Sequence, residues 1–321
     1  MSTTLGMMFP GQGSQAVGML ADLAAAHAVV RGSFEEASDA LGQDLWALAQ
    51  EGPAEDLDRT ENTQPVLLTA SVAVWRAWRE AGGSAPMVAA GHSLGEYSAL
   101  VAAGVLSLAD AVRLVRARAR AMQEAVPAGQ GAMAAILGLD DAEVEQCCAA
   151  AAGDGVVSAA NYNAPGQVVI AGDAAAVDRA VAACREAGAR RAMPLAVSVP
   201  SHCALMQPAT AILTEALDRI EFADPAFPVI QNVDARAAED AAGIRRRLID
   251  QLHAPVRWSD CVGAMAAAGA GRLLECGPGK VLSGLVRRID RSLDAAPLGE
   301  PGAFDEALAA DRDAAGRDAD A

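Results

Sequence analysis

Met87-Val88-Ala89-Ala90-Gly91-His92-Ser93-Leu94-Gly95-Glu96-Tyr97-Ser98-Ala99-Leu100-Val101-Ala102-Ala103 is the stretch on which the fold turns. Met87–Ala90 is a short apolar run, read as a strand, and it stops at Gly91. Glu96–Ala103 reads as a helix opening after Gly95. Between them lies the pattern G-x-S-x-G. Small residues on either side let the backbone take the strained turn of a nucleophile elbow, which lifts a serine hydroxyl clear. The pattern alone would also suit a plain tight turn, but the strand-turn-helix context favours a nucleophilic Ser93. That serine would stand at a helix N-terminus, where amide groups favour developing negative charge.

Outward from this elbow, short apolar runs bounded by Gly or Pro alternate with longer helical stretches, the α/β signature. Leu5–Phe9 reads as a first strand, stopped by Pro10-Gly11-Gln12-Gly13. Helices are expected over Pro65–Glu80 and Leu108–Glu124, and a late strand over Arg272–Glu275. After Pro127 the texture changes. Strand Ala132–Leu137, helix Asp141–Ala152, strands Val156–Ala160 and Gln167–Ala171, helix Ala174–Ala187 and extended Ala192–Val199 follow in turn. The order β-α-β-β-α-β is that of a ferredoxin-like unit. The expected organisation is a main α/β domain over 1–127 and 201–301, an inserted subdomain over 128–200, and a tail over 302–321 that frays.

Composition narrows the class. The chain has 321 residues, 52% hydrophobic but only 3% aromatic, so its core must come from Ala, Val, Leu, Ile and Met. A formal charge of −16 argues against nucleic-acid binding. Six cysteines form no C-x-x-C pair, and with four histidines they give no expectation of a metal site; reduced thiols in the cytoplasm are the simplest reading. No secretory signal is seen and no apolar stretch approaches the ~20 residues of a membrane helix.

A serine nucleophile needs a base. His27 reads as a surface residue, and His92, the immediate neighbour of Ser93, is expected to line the pocket. His253 in its loop stays open as a candidate. His202, where the inserted segment hands back to the main domain, is the best candidate. No acidic residue stands out as a third triad member. Arg118 falls on the apolar stripe of its helix with Leu114 and Met122, so it calls for an anionic partner: an Asp or Glu of this chain, or a substrate carboxylate. Spacing leaves both open. Pro10-Gly11-Gln12-Gly13-Ser14 lacks the G-K-[ST] ending of a phosphate loop; there the Gln12 amide, paired with that of Leu94, would form a two-donor oxyanion hole.

These pieces together resemble the malonyl-CoA:acyl carrier protein transacylases of bacterial fatty acid synthesis. The resemblance runs from about Phe9 to Pro301. It rests on Phe9-Pro10-Gly11-Gln12-Gly13-Ser14-Gln15, Thr63-Gln64-Pro65, Gly91-His92-Ser93-Leu94-Gly95-Glu96-Tyr97, Arg118, Asn161-Tyr162-Asn163, Pro165-Gly166-Gln167, Pro200-Ser201-His202-Cys203, Asn232-Val233, Gln251 and Gly277-Pro278-Gly279-Lys280. It implies a hydrolase-like main domain with a parallel central sheet and an inserted ferredoxin-like subdomain. It implies that Ser93 is acylated, that His202 is its base, and that Gln251 orients His202 through a main-chain carbonyl. Arg118 would grip the malonyl carboxylate, with His92, Met122, Asn161 and Ser201 around the substrate. Ser201 occupies the position at which polyketide relatives tune extender choice. Malonyl-CoA is then a substrate, no cofactor is implied, and the partner is an acidic acyl carrier protein. Arg190, Arg191, Lys280, Arg287 and Arg288 are the basic residues expected to meet it. The same chemistry serving a polyketide synthase, and a serine thioesterase or esterase, are the alternatives.

Overall fold

A computed structural model describes residues 4–127, 129–197 and 199–319. Ala128 at the expected start of the insertion, Ser198 in the expected extended segment, and the last two residues of the tail lie outside the described residues. The strands are β1 (Thr4–Phe9), β2 (Val88–Gly91), β3 (Gly131–Leu137), β4 (Val157–Ala164), β5 (Gln167–Asp173), β6 (Arg191–Pro194), β7 (Val229–Gln231), β8 (Arg236–Ala237), β9 (Ala270–Glu275) and β10 (Asp294–Pro297).

Two sheets divide them. The larger runs in the order β10-β9-β1-β2-β7-β8 and is parallel throughout except for β8. Side chains alternate across a strand. On β1, Leu5, Met7 and Phe9 enter one apolar cluster and Met8 the other; on β2, Ala89 faces the first and Val88 and Ala90 the second. Both faces are therefore covered, as a parallel sheet requires. β1 and β2 lie side by side at the centre and bring Phe9 opposite Gly91. The turns that follow them, Pro10–Gly13 and His92–Leu94, open at the same carboxyl-terminal edge, where α/β sheets bind ligands.

The smaller sheet, order β4-β5-β3-β6, is antiparallel. Numbered within the unit, that order is the 2-3-1-4 of a ferredoxin-like fold. Helices Asp141–Ala152 and Ala174–Glu186 cover one face with Val144, Cys148, Val177 and Val181 against Ile136, Val168 and Ile170. The opposite face carries Met133, Val169 and Ala171, which pack with Cys203 of the main body. A parallel bridge between Asn161 and Val256 ties the edge strand to the segment just after Gln251.

Two expectations need correction. The helix expected from Pro65 begins at Thr60. Its first turn is fixed ahead of the proline, with the Thr63 amide and hydroxyl reaching the carbonyls of Arg59 and Leu57. The tail expected to fray is a helix, Pro301–Ala319, whose Phe304 is fully buried against His27 and Trp78, with ring centroids at 4.8 and 6.0 Å. Phe304, Ala307 and Leu308, spaced i, i+3, i+4, form a short apolar stripe that Asp and Ala on the other faces obscure.

Candidate active site

Ser93 follows β2 with φ 52°, in the left-handed region that few side chains adopt. The turn closes because its flanks are glycines: a Cβ on Gly91 would run into the Gly95 carbonyl, and one on Gly95 into that of Phe9. Asn232, just beyond β7, pins the elbow. Its Oδ1 accepts from the Ser93 amide at 2.7 Å and its Nδ2 donates to the Gly91 carbonyl at 2.7 Å. Such strain persists only where surroundings over-determine it, as here.

His202, also at positive φ (64°), is held beside Ser93 by a hydrogen bond from its backbone N–H to the Leu252 carbonyl. The Ser93 Oγ lies 2.7 Å from His202 Nε2, and His202 Nδ1 lies 2.7 Å from the Gln251 main-chain oxygen. A carbonyl only accepts, so Nδ1 carries the proton and Nε2 is left as the acceptor facing the hydroxyl. Burial, then the charge of Arg118, lowers the His202 pKa to about 3. The imidazole is neutral at physiological pH, the form a base requires.

Arg118 is 1% exposed. Its Nη1 donates to Gln64 Oε1 at 2.9 Å, and its Nη2 to Gln251 Oε1 at 3.1 Å and to Ser93 Oγ at 3.4 Å. None of these acceptors is a carboxylate. The Tyr97 ring lies 5.4 Å from its Cζ. Burial lowers the Arg118 pKa, while Tyr97 and Glu96 act in the opposite direction. Of the two partners open in the sequence, no carboxylate among the described residues bonds the fork, which points into the cleft beside Ser93.

That cleft, about 280 Å³, is lined by Gln12, His92, Ser93, Leu94, Arg118, Met122, Asn161, Ser201 and His202, with Met133, Leu195 and Val197 contributed by the smaller sheet and the segment after it. Gln251 is fully buried behind it. Among the described residues, the Gln12 and Leu94 amides meet no protein acceptor, and both residues flank Ser93. His92 Nε2 bonds Asn163 Oδ1 at 2.8 Å and its ring packs on Trp258, with burial lowering its pKa. His253 lies apart from Ser93, beside a second cleft that touches the other side of His202. His27 is half-buried under Phe304 rather than free on the surface.

Three residues given no role from sequence complete the site. Asn232 pins the elbow and Asn163 orients His92. Glu96, fully buried, accepts from the Asn232 amide at 2.8 Å, Gln251 Nε2 at 3.0 Å and Gln231 Nε2 at 3.2 Å. All three lie in the quoted motifs, the only signal that could have marked them. The basic residues expected to meet a carrier are all exposed, and Lys280, Arg287 and Arg288 stand at opposite ends of one helix, Val281–Ile289. Arg191 pairs across β3 with Leu137, and Arg288 bonds Gln167 opposite that same residue. Lys280 instead follows Gly279, which faces Ser14 near the cleft.

A doubly covered parallel sheet, a serine elbow at its carboxyl edge and a histidine oriented by a carbonyl define a serine acyltransferase. The chain belongs to the acyl transferase domain family, whose model matches residues 7–297, and within it to the malonyl-CoA:acyl carrier protein transacylases. The enzyme of that name from Salmonella typhimurium is 58% identical over 306 residues, 95% of this chain and 99% of its own. The crystal structure of malonyl-CoA:acyl carrier protein transacylase from Xanthomonas oryzae superposes with a TM-score of 0.95 at 58% identity, covering 96% of this chain and 98% of that one. A malonyl-transacylase in complex with its type II polyketide acyl carrier protein superposes at 0.94 and 55% identity, covering 96% and 99%. No described helix is long and apolar enough to cross a membrane.

Proposed function

We propose that this chain transfers the malonyl group of malonyl-CoA to the phosphopantetheine thiol of an acyl carrier protein, through a malonyl ester on Ser93, and so supplies fatty acid synthesis. One observation carries the reading: Ser93 Oγ sits 2.7 Å from a neutral imidazole nitrogen and 3.4 Å from a buried guanidinium bonded to no carboxylate.

In the first half-reaction His202 Nε2 takes the Ser93 proton as Oγ attacks the thioester carbonyl. The Gln251 carbonyl stabilises the resulting imidazolium through Nδ1–H, and the Gln12 and Leu94 amides receive the oxyanion. Collapse expels the coenzyme A thiolate, which takes the proton from His202. Arg118 pairs with the malonyl carboxylate and fixes the carbonyl over Ser93. His92, Met122, Asn161 and Ser201 shape the remaining walls. In the second half-reaction the carrier thiol gives its proton to His202 and attacks the ester, and Ser93 is released with its proton restored. Side chains and amides supply each of these steps, so no cofactor is assigned; malonyl-CoA is a substrate. The six unpaired thiols support a reducing, cytoplasmic setting. Arg190, Arg191, Arg287, Arg288 and Lys280 would receive the acidic carrier.

The transacylase solved with a polyketide carrier favours a second reading, in which the same chemistry serves polyketide assembly. A panel of fatty-acid and polyketide carriers would separate the two. The decisive experiment is intact-mass analysis after mixing with malonyl-CoA alone and then with holo carrier protein. A malonyl adduct that persists alone, discharges onto carrier and is lost in Ser93→Ala supports the reading; rapid loss of the adduct to water would make the protein a thioesterase or esterase.

A further inference from the structure

The geometry points to Glu96 as the positioning residue of the site: its carboxylate sets, through Asn232, the pose of Ser93, and through Gln251, the poses of His202 and Arg118. This rests on the functional reading above but concerns a residue that touches neither substrate nor reacting atoms.

Glu96 stands at the first turn of the helix after the elbow, fully buried. Three N–H groups converge on its two oxygens: the Asn232 amide, Gln251 Nε2 and Gln231 Nε2. Two of these donors belong to residues that hold the reacting groups. Asn232 carries the acceptor for the Ser93 amide and the donor for the Gly91 carbonyl. Gln251 does three things at once. Its main-chain oxygen accepts a hydrogen bond from His202 Nδ1–H, its Oε1 accepts from Arg118 Nη2, and its Nε2 donates to the Ser93 carbonyl at 3.1 Å. A free glutamine side chain could turn its amide over and present Nε2 to Arg118, donor against donor. The bond from Nε2 to the Glu96 carboxylate forbids that inversion. Together with the Ser93 carbonyl, Glu96 Oε2 therefore fixes the sense of a chain running from Glu96 through Gln251 to the guanidinium, while the same oxygen anchors the elbow through the Asn232 amide.

The effect is chiefly one of shape, because the Glu96 hydrogen bonds go to neutral amides and Arg118, on which the Glu96 charge acts at a distance, is linked to it by hydrogen bonds through Gln251. That separates two substitutions. Glu96→Gln keeps the length and one carbonyl oxygen for Asn232 and Gln251; Gln231, whose buried Oε1 has no hydrogen-bond partner, can turn to accept from the new NH₂. Glu96→Asp keeps the charge but withdraws both oxygens by one methylene.

The test is pre-steady-state acylation of Ser93 by malonyl-CoA and by acetyl-CoA, read by intact mass on folded protein below each variant's Tm. Glu96→Asp should lower the saturating acylation rate about 10²-fold for both donors with little change in half-saturation, the cost of displacing reacting groups by about 1 Å; Glu96→Gln should lose only about threefold. Losses larger for Glu96→Gln than for Glu96→Asp would assign Glu96 a charge role, and equal rates in both would leave it a core residue; either overturns the proposal. Should Glu96→Asp not fold, Glu96→Gln alone decides: a tenfold or larger loss, or displacement of the His202 Nδ1–H proton resonance, refutes it. A wild-type protein that forms no malonyl adduct would instead refute the functional reading.

Discussion

Arg118 Nη2 lies 3.4 Å from Ser93 Oγ, so the cationic fork and the nucleophile share one wall of the cleft. The guanidinium is held by carbonyl oxygens of two glutamines, Gln64 and Gln251, which fix its plane without neutralising it. A buried cation paired in this way keeps most of its desolvation cost outstanding. A ligand that brings its own carboxylate offsets that cost, and one that lacks it does not. Selectivity for a dicarboxylic thioester is thus built into the second-layer amides as much as into the arginine.

Arg118→Ala should therefore separate donors. Malonyl transfer loses a charge-assisted bidentate pair, of order 2–3 kcal/mol, and kcat/KM should fall by about 10²-fold. Acetyl transfer makes no such pair and should change by less than about threefold. Parallel kinetics with malonyl-CoA and acetyl-CoA check this; equal losses would leave Arg118 a purely structural group.

Much of this site was legible in the sequence because it is local. The elbow is a strand, a turn and a helix in consecutive residues, and Arg118 betrays itself by breaking an apolar stripe. The links between such segments were not. Glu96 meets Asn232 and Gln251 across separations of 136 and 155 residues, and hydrogen-bond complementarity at that range leaves no period in the chain. β7, three residues long, offered too short an apolar run to be read, although it places Asn232. The tail's helix is harder to see for another reason: its average composition is polar, and the apolar side chains it buries among the described residues, Phe304, Ala307 and Leu308, make one short stripe.

Phe304 makes that docking testable. Its ring is fully buried between His27 and Trp78. Phe304→Ala should destabilise the fold by about 3–5 kcal/mol, with a matching drop in the denaturant midpoint. A midpoint equal to that of wild type would mean that the terminal helix does not hold to the body in solution.

Arg190, Arg191 and Arg288 gather at the end of β3 away from Met133, which lines the cleft, whereas Lys280 stands near the Ser14 turn. Charge reversal at Arg190, Arg191 and Arg288 together should raise KM for the carrier at low salt and leave KM for malonyl-CoA unchanged. Reversal at Lys280 alone, tested beside it, shows which part of the surface the carrier uses. No change in either set would remove these residues from the docking face.

Acid should act on this protein through His202. Its folded pKa, about 3, lies below the ordinary value of 6.5 that it regains on unfolding. Between those two values the unfolded chain binds a proton that the folded chain does not, so lowering the pH favours unfolding. The contribution is complete above pH 6.5 and lost as pH falls towards 3, at about 1 kcal/mol per pH unit. Glu96, raised to about 7 by burial, acts with the opposite sign between 4.5 and 7, and the two oppose each other over the range they share. The clean measurement is a difference: wild type minus His202→Gln, in which Glu96 and His92 titrate on both sides. That difference in unfolding free energy should shrink steadily as pH drops from 6.5 to 4.5, while the Ser93 acylation rate of Glu96→Gln, which removes the Glu96 titration, stays flat across the same range because the imidazole remains neutral. In Glu96→Gln, an acylation rate that halves near pH 6.5 would mean that His202 titrates as an exposed histidine, and that the wall formed by Arg118 and the smaller sheet does not shield it.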